Sequence, residues 1–160
     1  MTNNDILRRL RYCLNYNNQQ MLAVFAAAKL REISHQELSF WLKKDDDADY
    51  KSLSDVDLAT FLNGLINQKR GEKPGTPLPA EKKLNNNLIF RKLKIAFNLK
   101  SDEILEILSL ANFRFSEHEL SALFRKSDHK HFRVCKDQVL RNFLMGLQLK
   151  LRPTNPQTSN

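Results

Sequence analysis

The chain carries the same passage twice, and this limits what it can fold into more than any other feature. Residues 3–70 can be laid over 86–152, with a shift of 83 positions at first and 82 after a one-residue slip. Asn3, Asn4, Ile6, Arg8, Leu10, Asn15 and Arg31 meet Asn86, Asn87, Ile89, Arg91, Leu93, Asn98 and Arg114. Beyond the slip, Ser34, Glu37, Leu38, Asp55, Phe61, Leu62, Gly64 and Arg70 meet Ser116, Glu119, Leu120, Asp137, Phe143, Leu144, Gly146 and Arg152. Self-similarity at a fixed offset identifies the building unit. A copy of about 70 residues lies near the lower limit for an independent core, so the two copies are expected to pack on each other.

Each copy is patterned for helices. Ile6, Leu7, Leu10 and Leu14 follow the spacing of one helix face, as do Leu58, Phe61, Leu62 and Leu65. Ser34 with Glu37, and Ser116 with Glu119, form Ser-x-x-Glu capping boxes. Ser54 and Ser101 stand as N-caps before acidic first turns. The pattern predicts helices over 4–16, 19–29, 35–44, 55–69, 87–99, 102–112, 117–126 and 137–151, and no stretch alternates as a strand does. The expected fold is therefore all-α: a tandem duplication of a four-helix unit, at 1–70 and 86–152. Between them, 71–85 holds Gly71, Pro74, Gly75, Pro77 and Pro79 and reads as a linker, and polar 153–160 is expected to be a disordered tail. Gly64 and Gly146 interrupt matching fourth helices, where glycine costs about 1 kcal/mol relative to alanine. Retention in both copies predicts a close helix approach there.

Charge separates the copies. Residues 3–70 carry 10 basic and 9 acidic side chains, residues 71–85 carry 3 and 2, and residues 86–152 carry 13 and 7. The excess in the second copy favours an anionic partner. Cys13 and Cys135 stand at non-equivalent positions and read as reduced thiols rather than a disulfide framework. The start lacks a charged segment followed by an apolar run, and the longest apolar run, 21–28, is too short to span a bilayer. The expectation is a cytoplasmic protein with no membrane partner.

Four constellations are candidates for chemistry. Asn4, Arg8, Arg11 and Asn15 line one face of the first helix, matched by Asn87, Arg91, Lys94 and Asn98. Their amides and cations suit phosphates or carboxylates, or equally the exposed carbonyls of neighbouring helices. The second and third helices of each copy resemble a helix-turn-helix, with His35, Gln36 and Ser39, or Glu117, His118 and Ser121, as base readers. Against this, Lys29 and Asn112 stand where the turn usually has glycine, and Glu117 and Glu119 would face phosphates. The acidic loop Asp45, Asp46, Asp47, Asp49 fails as an EF-hand, because Tyr50 and Val56 occupy the glycine and bidentate-glutamate positions. His129, His131 and Cys135 are weak metal candidates whose spacing is not that of a closed zinc site. No nucleophile elbow, phosphate loop or zinc-protease helix occurs, so no cofactor is expected.

Several strings occur together: Asn-Asp-Ile-Leu-Arg-x-x-Arg-Tyr at 4–12, Thr-Phe-Leu-Asn-Gly-Leu-Ile at 60–66, Lys69-Arg70-Gly71, Asn85-Asn86-Asn87, and Asp128-His129-Lys130 followed by Phe132, Arg133, Cys135 and Asp137. In these the chain resembles the YehS-type family of bacterial proteins, built of a duplicated domain of unknown function. The resemblance covers all but the tail. It implies a cytoplasmic, all-helical, two-repeat bacterial protein, and it supplies no activity and no site residues.

The sequence thus reads as a non-catalytic interaction module. Its basic second repeat is expected to contact nucleic-acid phosphates through Arg91, Lys94, Arg125, Lys126, Lys130, Arg133 and Lys136, with Arg8 and Arg11 as first-repeat counterparts. The alternative is a protein–protein adaptor or self-associating regulator, anchored by Trp41, Tyr50 or Phe132. A metal-dependent enzyme centred on His129, His131 and Cys135 is the remaining reading.

Overall fold

All eight predicted helices form in the computed structural model, which describes residues 1–152; the tail expected at 153–160 lies outside them. The helices are α1 (Asn3–Leu14), α2 (Asn18–Ala27), α3 (His35–Leu42), α4 (Asp55–Arg70), α5 (Asn86–Ala96), α6 (Ser101–Leu110), α7 (Glu117–Leu123) and α8 (Asp137–Leu151), with no strand among the described residues.

Several helices end before their patterns do, for a local reason. Asn15 and Asn98 follow α1 and α5 at φ 56° and 52°, and Lys29 and Asn112 follow α2 and α6 at φ 57° and 58°. A left-handed residue stops helical hydrogen bonding and frees the chain to turn. Both Ser-x-x-Glu boxes close: Glu37 N–H donates to Ser34 Oγ at 3.0 Å while Ser34 N–H donates to Glu37 Oε1 at 3.1 Å, and Ser116 with Glu119 repeats these distances. Thr2 with Asp5 and Asn17 with Gln20 form two further boxes that the pattern search missed. Ser101 is not an N-cap. It is the first residue of α6, and the carboxylate of Glu103 reaches back to Lys100 N–H at 2.9 Å, doing the capping from inside the helix.

The repeats are interleaved. α4 packs on α2 of its own repeat and on α5 of the other, and α8 packs on α6 and on α1. The first helix of each repeat therefore lies against the last helix of the other. Leu7, Leu10, Phe25, Phe61 and Leu65 join Phe90, Leu93, Ile107, Phe143 and Leu147 in one buried cluster, each contributing about 1.5–3 kcal/mol of transfer free energy.

Gly64 and Gly146 set the spacing of the α2–α4 and α6–α8 pairs. A Cβ on Gly64 would stand 1.8 Å from the carbonyl oxygen of Val24, and one on Gly146 would stand 1.9 Å from that of Ile107. Backbone cannot yield as a side-chain tip does, so the helices would have to separate. Gly64→Ala and Gly146→Ala are each expected to destabilise by about 1–3 kcal/mol or more, despite alanine's helix preference of about 1 kcal/mol. Chemical denaturation checks this.

Two acids tie the repeats at matching corners. Asp55, opening α4, accepts from Asn3 Nδ2 at 2.7 Å and from Leu84 N–H at 2.8 Å. Asp137, opening α8, accepts from Asn86 Nδ2 at 2.7 Å and from the Met1 amino group at 3.0 Å. The Asn3 bond is the main reason Asp55 titrates below the ordinary 3.8, and the Asn86 bond, with the amino terminus, does the same for Asp137. Because both are lowered on folding, their stabilisation is present above the ordinary carboxylate range and is lost as pH falls through the lowered values. Stability is expected to drop as pH falls below 3.8, and less steeply in the Asp55→Asn, Asp137→Asn variant. Urea midpoints measured from pH 5 to pH 2.5 test it.

Candidate functional site: a basic groove on the second repeat

The polar stripe of each first helix is largely used inside the molecule. Asn4 is 1% exposed. Its Nδ2 donates to the carbonyls of Trp41 at 3.0 Å and Lys51 at 2.8 Å, while its Oδ1 accepts from Leu53 N–H at 2.9 Å and the Tyr50 hydroxyl at 3.0 Å. Four bonds fill the capacity of a buried amide. Asn87 does the same work with three, donating to Leu123 and Arg133 carbonyls and accepting from Cys135 N–H. Each thereby clamps the chain leaving the third helix of its repeat onto the first. Arg8 and Arg91 each donate one further bond, to the carbonyls of Lys43 at 2.7 Å and Phe124 at 3.0 Å. Asn15 and Asn98 are left-handed caps. Arg11, exposed, and Lys94, half-buried, are the stripe members that clamp no carbonyl among the described residues.

Lys94 belongs to a groove of about 420 Å³ lined by Arg70 at the end of α4, by Arg91, Lys94, Ile95, Asn98 and Leu99 along and after α5, and by Phe124 after α7. Its Nζ lies 5.0 Å above the Phe124 ring, an arrangement favourable by about 0.5–1 kcal/mol at exposed sites. That ring packs edge-on to buried Phe90 at 5.1 Å, which fixes its orientation. No carboxylate lines the groove. Arg125 follows Phe124 directly, its Nε buried with no partner among the described residues. Lys126, Lys130, Arg133 and Lys136 are exposed along the connection to α8. Arg133 N–H donates to the Ala122 carbonyl at 3.1 Å, which, with the Asn87 clamp, holds that connection against α7 and α5.

The structure thus brings Arg91 and Lys94 into one groove, with Arg125 beside it, and adds Arg70 and Phe124, which the sequence reading had not selected. Pairing of Arg70 with Arg152 was a signal for the first; Phe124 carried none, because its repeat partner is Leu42. Arg8 lines a different groove, between α1 and α8, and Arg11 lines neither.

The other candidates fall apart as sites. His129 and His131 lie ring to ring at 5.5 Å on an exposed turn, where His131 N–H donates to His129 Nδ1 at 3.0 Å. Cys135 is buried, and desolvation pushes its thiol up to about 12. No group of three metal-ligating side chains converges among the described residues. Cys13 is likewise buried, its thiol pushed by desolvation up to about 11. Trp41 is a core residue 5.7 Å from Phe25, and Tyr50 and Phe132 are half-buried, so these three form no exposed aromatic patch. In the helix-turn-helix comparison, Lys29 and Asn112 do take the left-handed turn position. His35, Gln36, Glu117 and His118 are exposed, with Ser39 and Ser121 half-buried. The first turn of α3, however, holds Glu37 in an ion pair with Arg31 at 3.1 Å, and that of α7 holds Glu117 and Glu119.

Removing the clamps should separate their weights. Asn4→Ala leaves two carbonyls and one N–H without partners in a buried place and is expected to cost about 2–4 kcal/mol, whereas Asn87→Ala, at a more exposed site, should cost about 1–2 kcal/mol. Thermal denaturation of the two variants gives the comparison.

A family model described as "Protein of unknown function (DUF1456)" matches this chain twice, at residues 3–71 and 86–152. The chain is 45% identical over 148 residues to the protein described as "Uncharacterized protein YehS" of Escherichia coli (strain K12), an alignment covering 92% of this chain and 94% of that protein. No solved structure gives a significant match.

Proposed function

Since the chain belongs to the family of unknown function DUF1456, which brings no activity with it, we propose from its own surface that it is a non-catalytic module binding the phosphate backbone of single-stranded nucleic acid. The observation that carries this reading is the groove in which Arg70, Arg91 and Lys94 surround the fixed ring of Phe124 with no carboxylate among the lining residues. A cationic channel beside an aromatic face is what sequence-tolerant single-strand binding uses: the cations follow the backbone and a base stacks on the ring. Lys126 and Arg133 add exposed cations on the held connection that leads from Phe124 to α8. The first turns of α3 and α7 carry carboxylates, which favours the groove over a recognition helix in a duplex major groove.

Fluorescence anisotropy with labelled single- and double-stranded DNA and RNA tests the reading. Three neutralised phosphates give a slope of log K against log salt of about −2 for a single strand. Arg91→Glu with Lys94→Glu is expected to weaken binding by about tenfold or more, and Phe124→Leu to weaken it less while leaving the salt slope unchanged. Charge reversal at Lys73, exposed between α4 and α5, should have little effect. Absence of binding at low salt, or binding indifferent to the double reversal, overturns the proposal.

A further inference from the structure

Interleaving gives the molecule two corresponding inter-repeat seams, one between α4 and α5 and one between α1 and α8. By the repeat offsets, Lys92 corresponds to Arg9, Asn63 to Met145, Ile95 to Tyr12 and Leu84 to Met1. Around Lys92 the α4–α5 seam is covered by the chain itself. Glu81, from the segment leading into α5, places Oε2 3.0 Å from Lys92 Nζ, which also donates to Asn63 Oδ1 at 2.6 Å; Lys92 is 5% exposed. Three residues later Leu84 N–H binds Asp55.

The α1–α8 groove keeps the same frame, but no carboxylate-bearing segment of the described chain covers it. At one end the Arg152 guanidinium lies 4.1 Å over the Tyr12 ring and donates to the Tyr12 carbonyl at 3.2 Å. The Met1 amino group takes the place of Leu84 N–H, on Asp137 in place of Asp55. Arg9 stands where Lys92 stands, but no carboxylate pairs with it among the described residues; it donates to Gln148 Oε1 at 3.2 Å and to Met145 Sδ at 3.8 Å. Arg141 lines the same groove, of about 670 Å³, and Tyr12 and Met145 are 50% and 36% exposed in it. The one carboxylate in its lining, Asp5, is already engaged by Arg8 and by Thr2 N–H.

We propose that the α1–α8 groove docks an extended acidic segment of a partner polypeptide, whose carboxylate meets Arg9 and Arg141 as Glu81 meets Lys92, with neighbouring apolar side chains on Tyr12 and Met145. Arg9 and Arg141 face no unengaged carboxylate in the groove lining, so a carboxylate is the group that complements them. A guanidinium is also the better receptor for an incoming carboxylate, since it binds bidentately where the internal lysine offers a point charge. This inference uses a different groove from the nucleic-acid reading and does not rest on it.

The probe is a synthetic peptide of this chain's residues 74–81, acetylated and amidated so that the Glu81 carboxylate is its one charge. It is titrated into the isotopically labelled full-length protein and followed by backbone amide shifts. The expected result is saturable shifts at Arg9, Tyr12 and Met145, with Kd weakened about fivefold by Glu81→Gln in the peptide or by Arg9→Gln in the protein. Arg9→Glu with Arg141→Glu should abolish the shifts while circular dichroism stays unchanged; if that variant unfolds, Arg9→Gln alone decides. The Arg91→Glu, Lys94→Glu protein should bind the peptide as the unaltered chain does. Shifts confined to Lys92 and Asn63, equal binding of the Glu81→Gln peptide, displacement by a single-stranded oligonucleotide, or no binding at all overturns the inference.

Discussion

The contact on which the rest of the structure depends is the seating of each repeat's first helix against the other repeat's last. A unit of this size buries only a modest share of its surface, so alone it is marginal against the entropy of ordering its chain. Packing α5 on α4 and α1 on α8 joins two undersized cores into one. It also explains why glycine persists at 64 and 146. α4 and α8 must carry a helix from each repeat, and the backbone of α2 or α6 comes so near that no Cβ fits.

The same interleaving decides what the polar face of the first helix does. Chain leaving the third helix is irregular and half-covered, so its carbonyls and N–H groups need partners that regular structure does not supply. Asn4 and Asn87 provide them, and Arg8 and Arg91 add one carbonyl each. An amide suits this task because it both donates and accepts. Once these duties are assigned, the cationic stripe that suggested a ligand shrinks to Arg11 in the first repeat and, in the second, to Lys94 and the outward part of Arg91, whose groove becomes the place where charge is available.

The two repeats have diverged most where they meet their surroundings. Replacement of Leu42 by Phe124 gives the second repeat an aromatic floor under Lys94. Glu81 covers the α4–α5 seam at Lys92, while the α1–α8 groove presents Arg9 and Arg141. One duplicated framework thus carries two different positively charged recesses, and in each the charge stands beside an aromatic ring. Buried Lys92 shows the energetic logic: its ammonium is held by Glu81 and Asn63 together, since an ion pair at such depth requires hydrogen bonding to offset desolvation.

Sequence alone determined the duplication, the eight helices, the Ser-x-x-Glu caps and the close approach at Gly64 and Gly146. These follow from local rules: period, capping chemistry and the absence of a side chain are written within a few residues of where they act. It misplaced the cap at Ser101, because α6 opens one residue earlier, with Lys100 at the cap position and Glu103 accepting from Lys100 N–H, and it overran several helix ends, because a left-handed Asn or Lys is a weak signal beside a continuing apolar pattern. Only the tertiary structure decided that Trp41 is core, that Cys135 is buried while His129 and His131 are exposed, and that Arg70 and Phe124 complete a groove with Arg91 and Lys94. Those outcomes depend on which helix lies against which across the two repeats. Spacing along a chain records the face of a helix but not the neighbour it meets.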